Sequence, residues 1–336
     1  MGACLKLLRL RSRRTKTSIY CLAAAGLMIG KNNMQKMRVA IIGLGNITHA
    51  YEDIPSIKKQ MQYPTHLSVL KKDKRFQLVA AADKSPEQRR SFQKKVSTNI
   101  AIYADYAVMI KKEQIDLLVV AVPTQAHYAV CSAALGLGIK NILCEKPITR
   151  TLDEAAKLYA LSKRYRARIL VNYQRSYSQG YTRLMGSVRK KNRGRVLSVT
   201  VQYNNGIFNT ATHLIHLLEK MFGPIQKVRS IKKSVRGLID PNISFTAFTR
   251  GFNIFFEGVD GAAYRLVEID IKFAKERLVL NGDSFAGKSI LDVYANTYQV
   301  IKYNKKPGAD MASSIQALKV AARAVESARI GKLINI

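Results

Sequence analysis

The sequence predicts an α/β protein: a doubly wound parallel sheet of Rossmann type comes first, and an α+β domain with a mostly antiparallel open sheet follows it. Three observations lead there. Short apolar, β-branched runs alternate with helical patterns from Met37 to Val171. A glycine turn, Gly43-Leu44-Gly45, ends the first of those runs. Beyond Val171 the segments lengthen, and polar residues alternate with apolar ones, as on a sheet with one wet face.

In the first part, residues 38–42, 77–82, 116–122, 141–144 and 168–171 read as strands buried on both faces, which removes the period of two. Helical patterns fall at 86–95, 106–112, 125–137 and 151–165, and another helical stretch is expected directly after the glycine turn. The helix at 151 opens with Thr151 and carries Glu154 three residues on, a capping box that satisfies two orphan amides. In the second part, 196–203, 243–257, 264–273 and 289–294 read as strands. Helices are expected at 210–221 and at 309–330, the latter stopped by Gly331. The domain boundaries that follow are a basic leader over 1–36, a dinucleotide-type domain over 37–171 and a second domain over 172–336.

Composition narrows the function classes. With 336 residues, 47% of them hydrophobic, the chain can bury more than one sizeable core, which argues against a disordered protein. Lys and Arg number 56 against 22 acids, a formal charge of +34, so small anions and anionic surfaces are attracted over long range. The basic residues recur along the chain, as at 71–75, 89–95 and 189–195, without the single stripe and interleaved aromatics of a dedicated nucleic-acid surface. Arg189, Lys190, Lys191, Arg193 and Arg195, around Gly194, read as an exposed loop before a strand. The cysteines Cys4, Cys21, Cys131 and Cys144 show no paired spacing, which fits a reducing compartment, and Cys144 reads as a small apolar residue ending a buried strand.

The leader holds eight Lys or Arg residues and no acid. Its apolar run, 19–29, is 11 residues long and too short to span a bilayer. It reads as a cleaved export signal, a basic tail, or an upstream extension with the working start at Met34 or Met37. The last is favoured because Met37 opens straight into a strand, so a cytoplasmic protein is expected, with export as the alternative.

Three constellations carry chemistry. Gly43 and Gly45 would let a dinucleotide's pyrophosphate approach the backbone, alongside Asn46 and Ile47. The third glycine of that pattern is Thr48, and such a turn also has a purely steric use. Asp83, ending the second strand, is placed to accept hydrogen bonds from an adenosine ribose, which favours NAD; neighbouring Lys84 would tolerate NADP. The second constellation is Cys144-Glu145-Lys146-Pro147 at the C-terminal end of a strand, the edge where open α/β sheets bind ligands. The third is Asn209, His213 and His216: positions four apart share a helix face or the turn leading into it. A metal reading of the two histidines lacks a third ligand at sensible spacing, so no metal is expected.

The tripeptide Glu145-Lys146-Pro147, the earlier Val122-Pro123-Thr124 with His127 beyond, and the closing Glu326 to Lys332 together resemble the Gfo/Idh/MocA oxidoreductases over residues 37–336. The resemblance implies an NAD(P)-dependent enzyme in which Lys146 lies at the nicotinamide and polarises a substrate hydroxyl, with a cis bond before Pro147. It also implies cofactor contacts from Pro123, Thr124, His127 and Glu145. His213 matches the family's histidine and would move the hydroxyl proton. Asn209 stands where the family has aspartate and His216 where a second acid is common; an amide orients a hydroxyl but relays no proton. Tyr173, Arg175 and Tyr177 leave the last Rossmann strand toward the same cleft, and Tyr173 and Arg175 are the expected substrate contacts, the arginine to a phosphate or carboxylate. The implied substrate is a sugar, inositol or nucleotide sugar, and 206–218 is similar to members encoded with surface-polysaccharide enzymes. A homodimer or homotetramer is expected. Two rival readings remain: a non-catalytic dinucleotide-binding regulator, and a reductase of an imine or pyrrole-type group.

Overall fold

A computed structural model describes residues 35–96, 100–188, 193–231, 233, 237–282 and 289–336. The leader reading therefore lies almost wholly outside the described residues, as do Arg189, Lys190 and Lys191. Arg193 pairs with Glu276 at 3.2 Å.

The first sheet has six parallel strands: β1 (Met37–Ile42), β2 (Phe76–Ala82), β3 (Ala101–Tyr103), β4 (Leu117–Val120), β5 (Asn141–Cys144) and β6 (Arg168–Val171). Their order is β3-β2-β1-β4-β5-β6, so the winding reverses between β1 and β4. All four residues of β4 are buried, which is why it reads as an unbroken apolar run. The connections hold the helices α1 (Pro55–Gln60), α2 (His66–Lys72), α3 (Pro86–Gln93), α4 (Tyr106–Lys112), α5 (Thr124–Gly136) and α6 (Leu152–Arg164). The capping box at Thr151 and Glu154 forms as expected. No long helix follows the glycine turn, however. Residues 46–49 form a turn and Ala50–Asp53 a 3-10 turn; Pro55 then restarts the chain as α1. Pro64 separates α1 from α2, whose first amides tie back to the carbonyls of Ile47 and Thr48 at 3.1 and 3.0 Å.

After β6 come a 3-10 turn (Gln174–Tyr177), α7 (Gln179–Val188) and the second sheet. Its strands are β7 (Val196–Tyr203), β8 (Lys227–Ser230), β9 (Phe245–Phe248), β10 (Asn253–Gly258), β11 (Val267–Phe273), β12 (Arg277–Asn281) and β13 (Ile334–Asn335), ordered β12-β11-β7-β10-β9-β8-β13. Only β7 and β10 pair in parallel; the rest is antiparallel. The single segment expected at 243–257 is a hairpin, β9 and β10, closed where the Thr249 amide donates to the Phe252 carbonyl. Helices α8 (Thr212–Phe222) and α10 (Met311–Ile330) pack on this sheet, and Gly331 caps α10 at φ +71°.

The strand expected at 289–294 is instead the first part of helix α9 (Ser289–Tyr303). Ile290, Val293, Tyr294 and Tyr298 recur at helical spacing, and a window of six residues hides that period. These side chains pack against Met37, Val39 and Ile41, so α9 covers a face of the first sheet although it lies far beyond residue 171.

Candidate active site

The glycine turn sits at the C-terminal edge of β1, at the point where the winding reverses. Gly43 has φ +94°, and a Cβ there would lie 2.6 Å from the Ala121 carbonyl and the Val122 amide. Its glycine is therefore required by the approach of the next loop. Around Gly45 a Cβ would meet nothing within 4 Å, so the missing side chain leaves open space that no protein atom uses. The amides of Gly45, Asn46 and Ile47 have no acceptor among the described residues. Three consecutive free N–H groups beside that space fit a pyrophosphate. Thr48, in place of the third glycine, donates its hydroxyl to the Gly43 carbonyl at 2.6 Å and so stiffens the turn. Asp83 lies beside it, one carboxylate oxygen taking the Leu44 amide at 2.7 Å and the other the Ser85 amide at 2.8 Å.

Next to this turn a cleft of about 610 Å³ opens between the two sheets. Of the residues singled out in the sequence, Ile47, Pro123, Thr124 and His127 line it from the first domain, and Glu145 and Lys146 from the tip of β5. Asn209, His213 and Arg175 line it from beyond β6. The Lys146–Pro147 bond is cis. The Lys146 ammonium donates to the Asn209 carbonyl at 3.1 Å and to its side-chain oxygen, so groups 63 residues apart meet at one point. Asn209 is held there by a single π-helical turn, Ile207–Ala211, which leads into α8. Asp240 fixes that turn by accepting the Phe208 and Asn209 amides at 2.8 and 2.9 Å.

His213 stands in the first turn of α8, 4% exposed, with Nδ1 buried and unpartnered. Burial, then the charges of Arg175 and Lys146, hold its pKa well below the ordinary histidine value. The imidazole is thus neutral, the form that accepts a proton. Burial also lowers the pKa of Lys146, partly offset by Glu145. Burial alone would raise the Glu145 carboxyl, but hydrogen bonds from His66 and Asn172 and the charge of Lys146 bring it below its usual value.

The expected cleft positions of Tyr173 and Tyr177 are corrected. Tyr173 does not line the cleft: it is fully buried, stacked on His216 at 4.5 Å and edge-on to His213 at 5.3 Å, so it supports the histidines from behind. His127 faces the cleft, but its ring nitrogens contact the Pro147 and Val122 carbonyls at 2.8 and 2.9 Å. It braces two loops and has no ring nitrogen left for a polar cofactor contact. Tyr177 also turns away, its hydroxyl accepting the Ala309 amide. His216 bonds Ser176 and Ser313, a structural role.

The sequence reading missed a buried chain behind Lys146. Glu145 contacts His66 Nε2 at 3.1 Å, His66 Nδ1 contacts the Tyr294 hydroxyl at 3.0 Å, and Asn172 donates to Glu145. Asn172 follows β6 directly, at the ligand-binding edge, and was findable from topology. Tyr294 was hidden by the misassigned helix. Arg265, also missed, reaches the cleft from the loop before β11, and no motif surrounds it.

A glycine turn at the switch point, with a polar cleft built jointly with a second sheet, defines a Rossmann dinucleotide-binding protein with an appended α+β domain. Residues 37–173 match the model of the oxidoreductase family with NAD-binding Rossmann fold, GFO_IDH_MocA. It is 27% identical over 160 residues to a 1-carboxy-3-chloro-3,4-dihydroxycyclohexa-1,5-diene dehydrogenase of Comamonas testosteroni, covering 48% of this chain and 36% of that one. It is 23% identical over 198 residues to inositol 2-dehydrogenase of Salmonella typhimurium, covering 54% of this chain and 59% of that one. The chain's matches thus span less than two thirds of these relatives. The WlbA dehydrogenase of Bordetella pertussis, solved with NADH and UDP-GlcNAcA, has the same fold: TM-score 0.73 at 18% identity, over 90% of this chain and 99% of that one.

Proposed function

We propose that the chain is an NAD-dependent oxidoreductase acting on a secondary alcohol of a sugar, inositol or nucleotide sugar. The observation that carries this reading is the meeting of Lys146, from the tip of β5, with Asn209 at the entry to α8, beside His213 and next to the glycine turn. When bound, the nicotinamide would supply the hydride chemistry. In the oxidation direction the substrate carbon gives up its hydrogen as hydride, and the neutral His213 ring takes the hydroxyl proton as the carbonyl forms. Lys146 stabilises the negative charge developing on that oxygen, an effect strengthened by its burial. Asn209 orients the ammonium through two acceptors and carries no proton itself. Asp83 beside the turn favours NAD over NADP, since a carboxylate there repels a 2′-phosphate.

The relatives named for inositol and for a UDP-sugar support the substrate class. The proposal includes a homo-oligomer, assembled on the outer face of the second sheet, where Phe255 and Val279 are each 45% exposed. Asn209 in place of the family's aspartate favours one rival, a non-catalytic dinucleotide-binding protein. Steady-state assays of the full chain with NAD and a panel of polyols separate the two. The enzyme reading expects turnover that Lys146→Met reduces by about a thousandfold or more, with NADH affinity retained. Tight NADH binding without turnover of any polyol would support the rival, and an active Lys146→Met enzyme would remove the lysine from the mechanism.

A further inference from the structure

Four charged residues line the cleft: Glu145, Lys146, Arg175 and Arg265. The carboxylate is occupied by His66 and Asn172. Asp240, whose charge also acts on Lys146, is not part of the wall and already accepts two backbone amides. At Asn209, where the family carries aspartate, the chain supplies an uncharged amide. Glu145 and Asp240 offset part of the charge of Lys146, whereas neither Arg175 nor Arg265 forms an ion pair among the described residues, so the cleft keeps an excess of positive charge.

Arg175 shows this most clearly. It is 6% exposed, yet its guanidinium has no hydrogen-bond acceptor and no ion-pair partner among the described residues. Burial, then the charge of Arg265, pushes its pKa down to about 9, and no acid acts on it in the opposite sense. Its nitrogens are not among the sealed, unpartnered polar atoms and so open onto the cleft, where a bound anion could supply the counter-charge that the protein does not. The backbone that carries the side chain is firmly held. Its 3-10 turn is anchored on one side where Ser176 contacts His216 at 2.8 Å and on the other where Ser178 donates to the Arg175 carbonyl at 3.0 Å.

Arg265 stands at the exposed rim, and its backbone is fixed with equal care. The buried Asn204 side chain donates to the Tyr264 carbonyl at 2.7 Å and accepts the Leu266 amide at 3.0 Å, gripping the chain on both sides of Arg265. One arginine on the floor and one at the rim are thus presented to the same cavity by separate, hydrogen-bonded scaffolds.

We propose that the substrate carries an oxyanion, a carboxylate or a phosphate monoester, which Arg175 and Arg265 bind within the cleft that holds the reacting hydroxyl. This rests on the function proposed above and narrows its substrate class. Guanidinium groups suit such oxyanions because their N–H donors match the paired oxygens. The substrate's charge would also relieve the field that now disfavours protonation of His213, so binding and proton uptake reinforce each other.

The test compares matched probes on the NAD(H)-loaded full chain: D-glucose, D-glucuronate and glucose 6-phosphate, and UDP-glucose against UDP-glucuronate. Equilibrium binding is read by calorimetry and turnover by NADH absorbance. The expected result is at least tenfold tighter binding of one member bearing the added carboxylate or phosphate than of its counterpart without that group, with a higher kcat/KM. The carboxylate and phosphate arms identify which oxyanion is meant. Arg175→Met and the exposed Arg265→Gln should each remove most of that preference, the second serving if the first fails to fold. Equal binding within each matched set, or no binding of any member bearing the added oxyanion, would overturn the proposal. A charge preference lost in Arg265→Gln but unaccompanied by turnover would keep the oxyanion site and sink the oxidoreductase reading instead.

Discussion

Gly43 and Gly45 stand two residues apart in one turn, yet the structure requires opposite outcomes when each becomes alanine. At Gly43 the added Cβ lies 2.6 Å from three backbone atoms of Ala121 and Val122, where ordinary contact begins at 3.4 Å, and the backbone is at φ +94°. Backbone cannot rotate aside as a side chain tip does. The overlap and the positive φ each cost about 1–3 kcal/mol, so Gly43→Ala should lose about 3 kcal/mol and melt about 5–10 °C lower. At Gly45 nothing lies within 4 Å and φ is unstrained, so Gly45→Ala should keep its stability to within about 0.5 kcal/mol. Its methyl group, however, enters the space beside the free amides of Gly45, Asn46 and Ile47. NADH affinity should then fall about tenfold or more, about 1.4 kcal/mol. Thermal or urea unfolding without cofactor and calorimetric NADH titration separate the effects. A Gly45→Ala chain that binds NADH as the parent does, or one as destabilised as Gly43→Ala, would refute the assignment of that space to the pyrophosphate.

Asn209→Asp places a carboxylate beside the Lys146 ammonium and near His213; the pH at which His213 protonates should rise, moving the acidic limb of the kcat profile upward, while any preference for anionic substrates falls. An unmoved pH profile would detach Asn209 from the proton step. Tyr294→Phe leaves the buried His66 Nδ1 without its 3.0 Å partner, and should cost about 1–3 kcal/mol and lower kcat through Glu145 with NADH affinity unchanged. A lower melting temperature with kcat intact would reduce that chain of groups to a structural role. Glu219 is pushed up to about 7 by burial, above its unfolded value, so the folded state binds a proton that the unfolded state has lost. Stability should therefore fall as pH rises from about 4.5 through about 7. Glu219→Gln keeps an acceptor for the Ile225 amide and should abolish that slope, giving a higher melting temperature than the parent at pH 8 and an equal one at pH 5. Parallel curves would place the titration elsewhere.

Where an element's burial is symmetric or its caps are local, the residues sufficed to find it. The strands β1, β4 and β5 are short β-branched runs covered on both faces, and α6 and α10 announce themselves through Thr151 with Glu154 and through Gly331. Where an element is set by long-range packing, they did not. Helix α9 matches a strand over six residues because Ile290, Val293 and Tyr294 are apolar in either geometry, and its assignment is decided by the face of the first sheet it covers. The run after Gly45 has helical composition, but Pro55 and Pro64 divide it into short pieces. The site divides in the same way. Lys146 and His213 were legible as motif residues at a strand tip and a helix entry. Tyr173 was misplaced because strand alternation puts positions 173 and 175 on one face, whereas the 3-10 turn that starts at Gln174 breaks that period and separates them. Arg265 gave no local signal, since its role depends on Asn204, 61 residues earlier, holding its loop.

The substitution at Asn209 and the charge of the cleft are then one feature seen twice. An aspartate at this position would accept the Lys146 ammonium as a counter-ion and would balance part of the field of Arg175. The asparagine keeps the hydrogen-bond geometry to Lys146 through its carbonyl oxygens while removing that charge. A neutral polyol entering such a cleft would leave the guanidinium of Arg175 as uncompensated as before, gaining only hydrogen bonds to hydroxyl groups. An oxyanion gains charge-assisted bonds and also removes a standing desolvation cost, so its advantage grows with the depth at which Arg175 is buried. The overall charge of +34 acts in the same direction at longer range, raising the rate at which anions reach the opening, and that contribution alone should weaken as salt is added. A preference for charged substrates that persists at high ionic strength would therefore come from the buried arginine, whereas one that salt erases would come from the surface.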